Sequence, residues 1–305
     1  MSEHDGNGWT RCDQGHRHWG RFGAAGLLVG AGHSADAVGV GNDDLVLLHE
    51  RNHWVSHGGT WGPPGGARDS HESAVDAALR EAWEECGIAA ESVTVTGLFS
   101  DDHGGWSYQT VLATAPVPFA VAADRDEAAQ VAWIPVSQVP RLRLHPGFSQ
   151  RWPLLRGALR PLTVIVDGAN VVGSRPDGWW RDRAGAAARL RDQVRSLAAR
   201  GVARAPGLAS MPPLTWWYPR IILVVEGAAA RAAAGWDDPG GDLTGRFAVV
   251  RAPGSGDDRI AELAASTGGY RLVVTADREL RGRCLAAGAA VTGPRWLLDQ
   301  LAEAS

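Results

Sequence analysis

The chain has 305 residues, 45% hydrophobic and 21% charged, with a formal net charge of -4, a composition that excludes disordered, fibrous and collagen-like classes. Its three cysteines, Cys12, Cys86 and Cys284, are odd in number and widely spaced, so a disulfide framework is excluded and a reducing, cytoplasmic compartment is expected. No stretch reaches the roughly 18 to 20 apolar residues that span a bilayer, and the first twenty residues lack the apolar segment of a secretory leader.

Length predicts two domains, 1–159 and 160–305, and the charge divides with them. Residues 1–159 hold 11 Arg against 19 Asp and Glu, whereas residues 160–305 hold 19 Arg against 15 acids. All ten histidines lie at or before His145. Hydrolysis in the second half must therefore work without imidazole, which leaves metal-bound carboxylates as the leading chemistry there.

In chain order, apolar runs predict strands at Ala24–Gly30 and Leu45–His49, then a helix from about Glu72 to Cys86. Strands near Ser92–Phe99 and Trp106–Ala113 flank a turn containing Asp101, Asp102, Gly104 and Gly105, and a strand at Val131–Pro135 precedes a helix near Pro146–Leu159. After Arg160–Pro161 the pattern restarts. Strands at Leu162–Val166, Ile221–Val225, Phe247–Val250 and Leu272–Thr275 alternate with helices near Arg181–Arg200, Asp258–Ala265, Arg278–Ala286 and Pro294–Leu301. That alternation predicts a parallel sheet covered by helices. The Pro- and Gly-rich stretches Ala205–Pro213 and Gly235–Gly241 read as loops.

The densest chemistry lies between Gly66 and Ile88. On a helix Glu81, Glu84 and Glu85 are spaced i, i+3 and i+4 and share one face. Three carboxylates repel one another there unless a hard divalent cation holds them, because Mg²⁺ takes oxygen ligands and bridges them to phosphates. Arg80, eight residues after Glu72, can pair with that residue or with the cluster. The preceding Trp61-Gly62-Pro63-Pro64-Gly65-Gly66 supplies a tight turn that lets backbone approach a ligand.

The segment Gly66-Ala67-Arg68-Asp69-Ser70-His71-Glu72, then Arg80-Glu81-Ala82-Trp83-Glu84-Glu85-Cys86-Gly87-Ile88 after seven residues, resembles the Nudix box at every fixed position. Seven fixed positions match by chance with a probability on the order of 10⁻⁸ to 10⁻⁹ per window. Ala82 is smaller than the aliphatic residue usual in the family. The resemblance covers about residues 20–158, including His57–Trp61 and Val131–Pro135. It implies a hydrolase that splits a nucleoside diphosphate linked to another group, with Glu81, Glu84 and Glu85 ligating Mg²⁺ or Mn²⁺. Glu81 would also assist deprotonation of water, while Gly66, Glu72, Arg80 and Gly87 support the site. Glu127 stands where related enzymes often place another acid.

Cys12, His16 and His18 are zinc-compatible, but they make only three ligands with no matching second half, so a structural or surface role is expected. Trp19, Trp54, Trp106 and Trp133 are candidates for stacking on a base, although core roles are the commoner use of tryptophan.

In the second half, acids follow successive apolar strands: Asp167 with Asn170, then Glu226, then Asp257 and Asp258, then Asp277. In an open parallel sheet the carboxyl ends of the strands share one edge, where ligands bind. Each acid alone also suits helix capping, Asp257 or Asp258 and Asp277 in particular. The block 162–301 resembles the NYN branch of PIN-like nucleases through Val-Asp-Gly-Ala-Asn at 166–170, Gly-Asp-Asp-Arg-Ile at 256–260 and Val-Thr-Ala-Asp-Arg at 274–278. The resemblance implies metal held by Asp167, Asp257 or Asp258, and Asp277, with RNA as ligand. Glu226 stands where many relatives have Asp. Arginines in and around Arg181–Arg200 suit a phosphate-rich partner.

The expected fold class is α/β throughout: an N-terminal Nudix α/β/α sandwich with a mixed sheet, and a C-terminal PIN-like α/β/α domain with a mainly parallel sheet. The expected function is pyrophosphate hydrolysis joined to RNA cleavage. Rival readings make the first domain a nucleotide sensor that regulates the second, or the second a non-cleaving RNA module. Sequence leaves oligomeric state open.

Overall fold

Two units divide the chain: Met1–Arg160 with Pro212–Thr215, and Pro161–Met211 with Trp216–Ser305. The computed structural model describes residues 4–32, 44–123, 128–175, 178–203, 205, 211–232 and 245–303. Of the predicted loops, Gly235–Gly241 lies outside the described residues, as does 206–210 of the other. Among the described residues, no helix is long and apolar enough to cross a membrane.

The first unit opens with a two-stranded hairpin, β1 (Trp9–Arg11) and β2 (Arg17–Trp19), absent from the sequence reading because three-residue strands carry no usable periodicity. Its main sheet is built on β3 (Ala24–Ala31), all eight residues of which are buried, as expected for a strand covered on both faces. Antiparallel to β3 run β4 (Leu45–Arg51) and the short β6 (Gly65–Ala67). β5 (Trp61–Gly62) and β9 (Ala128–Pro135) pair antiparallel with β4. On the other side β8 (Ser107–Ala115) runs parallel to β3 and antiparallel to β7 (Thr94–Asp102). The sheet is therefore mixed. Asp101 and Asp102 belong to β7 rather than to the predicted turn, because their pairing with Tyr108 and Ser107 carries the ladder to the hairpin end.

Helix α1 (Ala74–Cys86) packs on β3 and β6 through Ala74, Ala77, Ala78 and Ala82, all buried. Small side chains let the helix approach the sheet closely, which accounts for alanine at position 82. The helix begins two residues later than predicted. Ser73 is the N-cap, its hydroxyl accepting from the Asp76 N–H while the Asp76 carboxylate accepts from the Ser73 N–H. Gly87 ends it in the left-handed conformation, φ 65°, which glycine adopts without penalty. Helix α2 (Pro146–Ala158) buries Phe148, Trp152, Leu155 and Ala158.

The second unit holds a five-stranded sheet, all parallel, in the order β13 (Phe247–Arg251), β12 (Arg220–Val225), β10 (Leu162–Asp167), β14 (Tyr270–Val274), β15 (Ala290–Thr292). The short β15 escaped the sequence reading. The two-residue β11 (Trp216–Trp217) bridges back to Val202. From β10 the chain winds outward through α3 (Gly168–Gly173) and α4 (Arg183–Arg200) to β12, then past α5 (Gly227–Ala232) to β13. It returns through α6 (Gly256–Ser266) to β14 on the opposite side of β10, and through α7 (Arg278–Ala286) to β15, before ending in α8 (Pro294–Ala302). Right-handed crossovers in opposite directions put α3 and α4 on one face, α6 and α7 on the other. Ile165, Ile222, Val224 and Val273 meet Ile260, Leu263 and Leu280 in one core layer. The reversal of direction falls between β10 and β14, the position at which an open α/β sheet forms its crevice.

Candidate functional site

In the first unit the site is the seam between α1 and the strand β6. Arg80 is its hub. Its guanidinium donates to Glu72 at 2.7 and 3.0 Å, to Glu81 at 2.8 Å, to Glu84 at 3.0 Å and to the Ala67 carbonyl at 3.0 Å. Glu72 lies in the turn before the helix and also accepts from the Asp69 N–H at 3.0 Å. The Arg80 hydrogen bonds hold the Glu72 carboxyl below its ordinary value, and its acidic partners push the Arg80 guanidinium up.

The two glycines of β6 each seat a carboxylate. A β carbon on Gly66 would lie 2.6–2.7 Å from the Glu81 carboxylate atoms, so only glycine leaves room for Glu81 in this position. The Gly65 N–H donates to Glu85 at 2.8 Å. Glu85 is buried at 4% exposure, whereas the Glu84 side chain is 45% exposed. The helix thus grades its acids from buried Glu85 through Glu81 to solvent-facing Glu84. Among the described residues, Glu81, Glu84 and Glu85 do not form a group in which one oxygen from each lies within 4.8 Å of the others; Arg80 stands between Glu81 and Glu84.

Two residues that the sequence did not single out stand behind Glu85. His49, 1% exposed, brings Nδ1 to 3.7 Å from Glu85, but burial pushes its pKa down to about 4, so the imidazole is neutral and the contact is no ion pair. Burial, followed by Glu85 and Glu81, pushes the Tyr108 hydroxyl up. A histidine and a tyrosine inside apolar strands carry no pattern that marks them as neighbours of Glu85, 36 and 23 residues away in sequence.

Glu127 lies outside the described residues. Of the tryptophans, Trp106 stacks on His18 and donates to the Gly20 carbonyl, Trp133 donates to the Phe119 carbonyl, and Trp19 meets Trp9 edge-on. Trp54 is 71% exposed. Burial pushes the Cys86 and Cys284 thiols up, which leaves both unreactive.

In the second unit Asp167 ends β10 and caps α3, accepting from the Asn170 N–H at 3.0 Å. Its other oxygen accepts from the fully buried Thr275 hydroxyl at 2.8 Å. The same hydroxyl oxygen accepts from the Asp277 N–H at 3.1 Å, and the Asn170 amide oxygen accepts from the Ala276 N–H at 2.8 Å. Across the switch point, therefore, β10 and β14 are laced through Asp167, Asn170 and Thr275. Thr275 was visible only as the spacer of Val-Thr-Ala-Asp-Arg. Glu226, just beyond β12, accepts from the Gly256 N–H at 2.7 Å.

Burial raises the Asp167 pKa, partly offset by its two hydrogen bonds, and Asp257 and Glu226 raise it further. Asp257 is raised by burial, then by Asp277 and Glu226. These four acids share one electrostatic neighbourhood. Asp258 differs: 73% exposed, it pairs with Arg283 at 2.8 Å. Neither Asp257 nor Asp258 caps α6, since the Ser255 hydroxyl accepts from the Asp258 N–H. Asp277 caps α7 as well as facing the acidic edge. The arginines of α4 are partly engaged within the unit. Arg195 lies over the Phe247 ring, Arg200 donates to the Gln300 carbonyl, and Arg191 pairs with Asp192.

The NUDIX domain family matches residues 32–156. A putative 8-oxo-dGTP diphosphatase 3 of Mycobacterium tuberculosis is 42% identical over 166 residues, covering 52% of this chain and 72% of that protein. A nucleoside triphosphate pyrophosphatase/Nudix hydrolase fusion protein of Bifidobacterium longum is 38% identical over 161 residues; the match takes in 52% of this chain and spans about a third, 33%, of that relative's length. The crystal structure of a Nudix hydrolase from M. smegmatis, RenU, is 41% identical, covers 50% of this chain and 94% of its own, and superposes with a TM-score of 0.45. With its box built around Arg80 and its carboxylates seated on Gly65 and Gly66, the chain belongs to the Nudix hydrolases, which act on phosphoric anhydrides.

Proposed function

We propose that the first unit hydrolyses the pyrophosphate of a nucleoside diphosphate linked to another group, and that Glu81, Glu84 and Glu85 hold Mg²⁺ or Mn²⁺. The observation that carries this reading is the seating of Glu81 and Glu85 on two glycines while Arg80 bridges Glu81 and Glu84. The donor set suits a hard cation, because Glu81, Glu84 and Glu85 offer carboxylate oxygens. When bound, the cation supplies neutralisation of the charge that develops on phosphate oxygens and lowers the pKa of water. Arg80 fixes Glu81 and Glu84, Gly66 leaves the space that Glu81 occupies, and Glu81 accepts the proton of the attacking water. 8-oxo-dGTP, for which the mycobacterial relative is named as a putative diphosphatase, is the first substrate to try.

For the second unit the reading is a PIN-like, metal-dependent ribonuclease. Its support is the convergence of Asp167, Glu226, Asp257 and Asp277 at the carboxyl edge of a parallel sheet, with Asp167 and Asp257 both raised by burial and by neighbouring acids. Asp167 is the buried member, Asp257 and Asp277 are half-buried and Glu226 is exposed; a divalent cation offsets the repulsion among such neighbouring acids, and sites of this kind cleave phosphodiesters without histidine. Asn170 and Thr275 position Asp167.

The test is product release from normal and oxidised triphosphates, ADP-ribose, NAD and dinucleoside polyphosphates with Mg²⁺ or Mn²⁺, wild type against Glu84→Gln. The expected result is turnover that the variant lowers by about 100-fold or more. Nucleotide binding without turnover in folded protein replaces hydrolysis with sensing. For the second unit, RNA cleavage by wild type and its loss in Asp167→Asn is expected; binding without cleavage makes the unit an RNA-binding module.

A further inference from the structure

The sequence offers Cys12, His16 and His18 as zinc-compatible side chains and stops one short. The fold supplies the fourth. Between β1 and β2 the chain makes a tight knuckle, with the Gly15 N–H donating to the Cys12 carbonyl at 2.9 Å and the Cys12 N–H donating to the His16 carbonyl at 3.1 Å. The β7–β8 hairpin turns against it. The Asp13 N–H donates to the Gly104 carbonyl at 2.8 Å, and the His103 N–H donates to the Trp106 carbonyl at 2.9 Å. Gly104 adopts φ 73°, and a β carbon there would lie 2.8 Å from an Asp13 carboxylate oxygen, so the two turns are in close contact.

The result is that Cys12, His16, His18 and His103 each offer a ligand atom, all within 4.8 Å of one another. Cys12 is buried and forms no disulfide. The His18 and His103 rings lie 4.8 Å apart, and His18 is stacked on Trp106 at 3.9 Å. Nε2 of His18 and Nδ1 of His103 are buried and have no hydrogen-bond partner among the described residues. A buried nitrogen left without a partner is costly, and the protein atoms around the cluster supply none. A core histidine cluster would satisfy its nitrogens through hydrogen bonds; a metal site leaves them aimed at the ion.

We propose that Cys12, His16, His18 and His103 bind one Zn²⁺ in a structural site that clasps the β1–β2 hairpin to the β7–β8 hairpin. Tetrahedral Zn²⁺ with bonds of about 2.0–2.3 Å separates its ligand atoms by roughly 3.3–3.8 Å, which this cluster reaches by a contraction of about 1 Å or a little more. Thiolate and imidazole select zinc over Mg²⁺, so the site is chemically distinct from the carboxylates of α1. Four protein ligands leave no position for water, which makes the ion structural rather than catalytic. Asp101, 3.9 Å from His103 Nε2 and held by Arg151, stands where an outer carboxylate orients a metal-bound imidazole.

The experiment is elemental analysis of the untagged full chain purified without chelator, followed by cobalt(II) substitution. About one zinc per chain is expected, retained through dialysis against Mg²⁺. Cys12→Ser and His103→Ala are expected to lose it, while Glu84→Gln keeps it. The cobalt form of the wild type is expected to show a thiolate-to-metal charge-transfer band and the intense visible bands of tetrahedral coordination, a readout that does not depend on any variant folding. A chain that carries no zinc and takes none up from added Zn²⁺, or a cobalt spectrum with no thiolate band, overturns the proposal. Full zinc retention by folded Cys12→Ser and His103→Ala also overturns it.

Discussion

Gly66→Ala separates the position of one carboxylate from the stability of the fold. The added β carbon would lie 2.6–2.7 Å from three atoms of the Glu81 carboxylate, against about 3.5 Å for a relaxed contact. Glu81 must therefore retreat by roughly 0.8–0.9 Å. What stands in the way is the end of a flexible side chain, so the strain is about 1 kcal/mol. For a unit of about 160 residues that lowers Tm by roughly 2–4 °C. A misplacement near 1 Å in a positioned reacting group costs about 100-fold in rate. The assay pairs steady-state hydrolysis of the best panel substrate with a thermal melt, and the expected outcome is a 100-fold loss of kcat with a melt shifted by only a few degrees. Turnover within about threefold of wild type, a barrier change below 1 kcal/mol, refutes the reasoning, because Glu81 then works equally well from elsewhere.

Arg80→Ala removes the bonds to Glu72, Glu81, Glu84 and the Ala67 carbonyl and leaves the Glu72 side chain, 10% exposed, without its cation; urea denaturation is expected to show a loss of about 2–4 kcal/mol. Because Arg80 holds the folded-state pKa of Glu72 below the ordinary 4.5, its stabilisation is present above that value and lost as pH falls through the folded pKa, so the variant's stability falls less steeply in acid. His49 works over a different window. Held near 4 against an ordinary 6.5, it stays neutral in the folded state while the unfolded chain takes up a proton, so stability falls by up to about 3 kcal/mol as pH drops from 6.5 towards 4. Thermal melts at pH 7 and pH 5 are expected to diverge less for His49→Leu than for wild type. Thr275→Val keeps the shape of the side chain but deletes its bonds to Asp167 and Asp277; a loss of about 1–3 kcal/mol is expected in the second unit's unfolding transition.

The cluster of acids around Arg80 was legible in the sequence because helix periodicity fixes it locally. Residues 80, 81, 84 and 85 lie within two turns of α1 and Glu72 in the turn just before it, so short separations in sequence bring Arg80 and its acidic partners close together. The same holds for the strand and helix alternation of the second half, where continuous apolar runs mark strands buried on both faces. Pairing across long separations was not legible. That Gly66 makes room for Glu81, that His49 stands behind Glu85, that Thr275 links Asp167 to Asp277 and that Asp258 turns to Arg283 all depend on register and crossover, which no local pattern encodes. The capping of α6 by Ser255 rather than by Asp257 or Asp258 shows the same limit at two or three residues' distance. His103 is the plainest case: 85 residues from His18, it joins the Cys12 knuckle only because the β7–β8 hairpin folds back against β1 and β2. Local sequence thus determined which side chains could carry chemistry, and the tertiary fold decided which of them meet, because burial and hydrogen bonding act on neighbours in space.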